Sequence, residues 1–107
     1  MPGRNWTDAA GVLAKGLTAT TDPAARSQLV AALRDGGAQA VSSGSYQGAV
    51  SLFREYVRAA PTDVNVYLEL GKAYWNSGQR ADALAQFRRA LELAPQNEEA
   101  QRFLLGR

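Results

Sequence analysis

A period of 34 residues is the feature that most limits what this chain can fold into. Laid over residues 64–97, residues 30–63 are identical at nine positions: Val30/Val64, Gly37/Gly71, Ser43/Ser77, Gly44/Gly78, Ala49/Ala83, Phe53/Phe87, Arg54/Arg88, Ala60/Ala94 and Pro61/Pro95. Composition alone gives about three. The shared residues carry structural meaning: a mid-helix glycine, a Ser-Gly turn, an Ala-x3-Phe step and a terminal proline. A unit of this size is one supersecondary element that cannot bury its own apolar face, so its neighbours have to stack on it.

In the second copy, Tyr67, Leu70, Gly71 and Tyr74 recur at helical spacing and form one stripe. Thr62 or Asp63 can cap the start of that helix, and Asn76-Ser77-Gly78 ends it, with glycine supplying the left-handed position. A second helix is predicted from about Arg80 to Ala94, with Ala83, Leu84, Phe87, Ala90, Leu91 and Ala94 on its apolar face, and Pro95 stops it. Tyr67-x2-Leu70-Gly71-x2-Tyr74, then Ala83-x3-Phe87, then Pro95 resembles a tetratricopeptide repeat, with Tyr67 in place of the usual tryptophan. The resemblance is to a two-repeat domain of bacterial type. It implies an all-α fold, an α-α superhelix of two helix-turn-helix repeats with flanking N- and C-terminal helices.

The first copy is degenerate but in register. Leu33, Gly36, Gly37 and Ala40 stand where the aromatic stripe belongs, and Tyr56 replaces the small Ala90. Gly37 and Gly71 let the paired helices approach, Ala49 and Ala83 do so from the partner helix, and Phe53 and Phe87 fill the gap between repeats. Gly36 and Ala40 thin the core, so the N-terminal segment is expected to compensate. The glycines at 36, 37, 44 and 48 do not make a phosphate loop, because no Gly-Lys-Ser/Thr end follows.

Outside the repeats, Trp6, Ala9, Ala10, Leu13 and Leu17 mark an amphipathic helix over residues 6–19 that does not fit the 34-residue register. Asp22-Pro23 starts a helix that can run to Ser42, and Asn97 caps a last one with Ala100, Phe103 and Leu104 on its stripe. One domain is expected, divided as 5–21 (helix and linker), 22–63 (first repeat), 64–97 (second repeat) and 98–107. The final segment is read as a capping helix, in preference to the start of a cut repeat.

Composition narrows the chemistry. There is no Cys and no His, which removes thiolate nucleophiles, disulfides, the commonest acid–base group and the commonest metal ligand. Carboxylates at helix starts are explained by capping. The chain is therefore expected to be no enzyme and to use no cofactor, metal or small-molecule substrate. Twelve cations face ten anions with little clustering, so nucleic acid is not an expected partner. No apolar run is long enough to span a membrane, and the start, Met1-Pro2-Gly3-Arg4-Asn5, has no apolar leader. A cytoplasmic location is the expectation.

The resemblance implies a binding module whose first helices line a concave groove for an extended peptide or a helix of a protein partner. Subtracting the inward stripe leaves Asn65, Leu68, Lys72, Trp75 and Asn76 on the second repeat, and Arg34 and Val41 with Ala31, Ala38 and Ser42 on the first. Trp75 is the expected anchor, and packing is its alternative role. Lys72 and Arg34 are candidate carboxylate receivers, with plain solvation the favoured alternative, and Asn76 is a candidate ligand amide, with the helix end before Gly78 the favoured alternative. The carboxylate clamp of chaperone-binding relatives is rejected, because Ala38 and Glu69 stand at its two asparagine positions. A homodimer is the second expectation, through apolar residues at the solenoid ends: Trp6, Phe103, Leu104 and Leu105.

Overall fold

The computed structural model describes residues 6–105, which are 83% helical with no strand among them. Six helices follow one another: α1 (Trp6–Ala19), α2 (Pro23–Ser42), α3 (Tyr46–Ala59), α4 (Val64–Asn76), α5 (Arg80–Leu93) and α6 (Glu98–Leu105). Residues 1–5, where the absence of a leader was read, and residues 106–107 of the last segment lie outside the described residues.

Local chemistry sets the helix ends. Asp22 accepts a hydrogen bond from the Ala24 N–H, with Pro23 in the first turn of α2. Of the two candidates before α4, Asp63 is the cap: its carboxylate accepts from the Val66 N–H at 3.3 Å. The two helix pairs turn identically. Gly44 and Gly78 adopt φ of 77° and 84°, and the next N–H of each, from Ser45 and Gln79, reaches back five residues to the carbonyls of Ala40 and Tyr74. This is the paired closure that a left-handed glycine permits.

Packing then joins the helices. α2 pairs with α3 and α4 with α5, while α3 meets α4 and α5 meets α6. In each pair a phenylalanine ring lies on a glycine: Phe53 of α3 on Gly37 of α2, and Phe87 of α5 on Gly71 of α4. Phe53 and Phe87 are among the most deeply buried side chains. Phe87 also stacks on Phe103 of α6, with centroids 4.2 Å apart and rings 6° from parallel, so it bridges units as well as closing one.

α1 packs on both α2 and α3. Its Trp6 lies against Gly48, and Thr7 and Ser51 share a hydroxyl hydrogen bond of 3.2 Å. The space left by Gly36 is taken by Leu52, from within the same unit. Compensation for the thinned core therefore comes from α3 as well as α1. α2 is seven residues longer than α4 (20 against 13), an N-terminal extension of two turns.

Alanine at a ring-on-glycine contact and alanine on an open helix face should act with opposite sign. A Cβ on Gly71 would stand 2.7 Å from the Phe87 ring, so Gly71→Ala should lower the unfolding free energy by about 1–3 kcal/mol. A Cβ on Gly11, exposed on α1, meets nothing within 4 Å. Gly11→Ala should raise stability by about 0.5–1 kcal/mol through helix propensity. Urea titration of both variants measures the contrast.

Candidate functional site

The α2–α4–α6 layer provides the face on which the groove was expected, and the structure sorts the seven expected residues into three groups. Arg34, Asn65 and Asn76 are exposed. Arg34 lies on α2 with its guanidinium 3.7 Å from the neighbouring Asp35, an exposed pair worth little. Asn65 lies in the first turn of α4, and Asn76 is the last residue of that helix.

The second group is withdrawn from the surface. Leu68 is 4% exposed and belongs to the core, not to an open groove wall. The reason is that α4 sits in the middle of the array, with α3 and α5 behind it and α6 beside it. Its buried sector is consequently wider than the stripe of Tyr67, Leu70, Gly71 and Tyr74. Val41 is half-buried and packs against the same core.

The third group, Lys72 and Trp75, is engaged by α6. Lys72 Nζ stands 2.6 Å from a Glu99 carboxylate oxygen and 3.5 Å from one of Glu69. Burial pulls the Lys72 ammonium down, but the Glu99 hydrogen bond and the charges of Glu69 and Glu99 outweigh it and leave its pKa raised. Trp75 meets Phe103 edge-on at 6.0 Å and carries the Arg80 guanidinium 4.8 Å above its ring. The cation and the aromatic ring expected to receive a ligand thus receive an acid and an aromatic spaced i,i+4 on α6.

What stays open is a cleft of about 270 Å³ bordered by Arg26, Ser27, Val30, Ala31, Arg34 and Tyr56. Ala31 and Arg34 were expected there. Arg26, Ser27, Val30 and Tyr56 were not. The substitution of Tyr56 for the small residue of the other unit was the visible signal for the last of these. Tyr56 is held by its hydroxyl, which donates to the Asp63 carboxylate at 2.7 Å, so the cap of α4 also fixes the cleft wall. Burial first, and then the Asp63 hydrogen bond and charge, raise the phenol pKa against the opposing influence of Arg34.

α6 continues the register. Asn97 caps it through the Ala100 N–H at 3.0 Å, as Asp63 does for Val66 one unit earlier. Gln101 Nε2 donates to the Pro95 carbonyl at 2.9 Å, where Tyr67 donates to the Pro61 carbonyl at 3.0 Å. Among the described residues no group of three His, Cys, Asp or Glu side chains gathers to hold a metal, and no helix is long and apolar enough to cross a membrane.

Two substitutions separate the contacts that hold α6. Phe103→Ala, which removes the ring stacked on Phe87, should cost about 2 kcal/mol. Glu99→Gln should cost less than about 1 kcal/mol, because the ion pair it removes is partly solvated. Thermal denaturation ranks them. Tyr56→Phe should cost about 1 kcal/mol. A phenol whose folded pKa is raised stabilises fully below its ordinary value of 10.0 and loses that contribution as pH rises through the folded value. Tyr56→Phe should therefore lower stability at neutral pH and flatten its alkaline fall, as read by denaturant midpoints across pH.

Compared with known proteins, residues 40–105 match the family model described as tetratricopeptide repeat, which is more than half of the chain. Among curated proteins the chain has no match.

Proposed function

The chain belongs to the tetratricopeptide repeat family, and on that premise we propose that it is a non-catalytic adaptor taking a peptide or helix of a protein partner into the concave groove. Repeats of this family generally mediate protein–protein interaction. The observation that carries the finer reading is the open cleft beside α2, where Arg34 and Ala31 face Tyr56. It offers a cation, a phenolic edge and an aliphatic wall close together, the mixture that orients a peptide and buries part of it. The partner contact is thereby moved from Trp75 and Lys72, which α6 engages, toward α2 and the exposed Asn65. A photo-crosslinking residue placed at Ala31 or Asn65 tests this, with Arg88 on α5 as the control position. Adducts with one partner segment from the groove positions alone, together with about tenfold weaker binding of that segment by Arg34→Glu, are the expected result. Equal labelling from Arg88 overturns the assignment.

A second reading, self-association through the solenoid ends, is supported by two exposed apolar side chains: Val12 on α1, 69% exposed, and Leu105 on α6, 63% exposed. Trp6, Phe103 and Leu104, which the sequence also offered for this role, are packed against the core. Light scattering over a concentration series decides: a mass of 11.5 kDa throughout sinks the dimer.

A further inference from the structure

A second cleft, of about 520 Å³, opens between the last turns of α1, the start of α2 and the last turns of α3. That volume lies within the range of clefts that hold ligands. Leu17 and Ala59 contribute to an apolar wall, and Lys15, Arg26 and Arg58 bring three cations to the lining. Its one anion, Glu55, is drawn to Arg58 at 3.5 Å. Lys15 and Arg26 make no ion pair among the described residues. α1 and the N-terminal extension of α2 lie outside the 34-residue register, so stacking of the repeats does not account for the residues they place here.

We propose that this cleft is a binding site for an acidic segment of a protein partner, one that carries carboxylates next to an aliphatic side chain. Charge complementarity selects the occupant: with Arg58 paired to Glu55, Lys15 and Arg26 leave the lining with an excess of two positive charges, which attracts anions and repels basic segments. The three cations are exposed, so a carboxylate there is drawn by their combined charge, and the attraction is screened by salt. An aliphatic side chain beside it covers Leu17 and Ala59. The site is separate from the groove reading, and because Arg26 borders both clefts it is left out of the test.

The probe is a synthetic peptide, Glu-Glu-Leu-Leu-Glu-Glu, titrated into the full chain and followed by backbone amide NMR shifts. Its counterpart with lysine in place of glutamate and vesicles of phosphatidylglycerol are run alongside. The expected result is a cluster of shifts over residues 14–19 and 55–59 and an affinity that falls with added salt. Lys15→Glu combined with Arg58→Glu should weaken binding by about tenfold or more, with an unchanged circular dichroism spectrum. Shifts centred on Ala31 and Asn65, equal binding of the lysine peptide, no shift at all, or binding to the vesicles without the peptide overturns the proposal.

Discussion

Everything in the array depends on a ring seated where a side chain is missing. Phe53 on Gly37 and Phe87 on Gly71 bring the two helices of each unit together. Because the ring takes the space a glycine Cβ would fill, a larger residue there pushes the pair apart. That contact lies between the Ser-Gly turn behind it and the Pro-x-Asp or Pro-x-Asn turn ahead of it. The same phenylalanine then reaches forward: Phe87 stacks on Phe103, so closure of one unit prepares the seat of the next helix.

At α6 the repetition changes character. Asn97 and Gln101 reproduce the cap and the proline contact made by Asp63 and Tyr67, so the helix begins in register. Seven residues past Glu98 the register calls for the glycine that admits a partner helix, and Leu105 stands there, exposed. A leucine at that position blocks the close approach that Gly37 and Gly71 permit. α6 itself lies against the second unit, through Phe103 on Phe87 and Glu99 on Lys72. Glu99 and Phe103 accordingly turn back onto α4, where they meet Lys72 and Trp75.

The fold was legible because its determinants are local or strictly periodic. The turn glycines, the prolines, the caps and the Ala-x3-Phe step each act within one unit, and the 34-residue period carries them to the next. The candidate groove was less legible, because exposure of a helix face depends on how many neighbours flank it. The stripe through Tyr67, Leu70, Gly71 and Tyr74 describes a helix with one buried side. With helices behind it and α6 beside it, Leu68 is buried as well, and Trp75 and Lys72 are engaged. Nothing in the repeat register announces that α6 will supply an acid and an aromatic ring four residues apart at that place. Tyr56 is the converse case: a large residue at a small-residue position was visible in the sequence, but its bond to the Asp63 cap required the folded turn.

Packing fixes positions far more tightly than it fixes charge. On α3, Glu55 pairs with Arg58, and 34 residues later on α5 Arg89 pairs with Glu92, the same i,i+3 geometry with the polarity reversed. Stacking tolerates either order, because both pairs lie on the outer surface. The local field of the helix does not treat them alike. A cation in the last turn of α3 complements the partial negative charge of the helix end, whereas Glu92 in the last turn of α5 opposes it. Arg58 therefore stands where the fold already favours a positive charge, beside Lys15 and Arg26 from segments that the repeat does not constrain. A binding surface assembled in this way costs the scaffold little stability. Its charge can change without disturbing the ring-on-glycine contacts that close each unit.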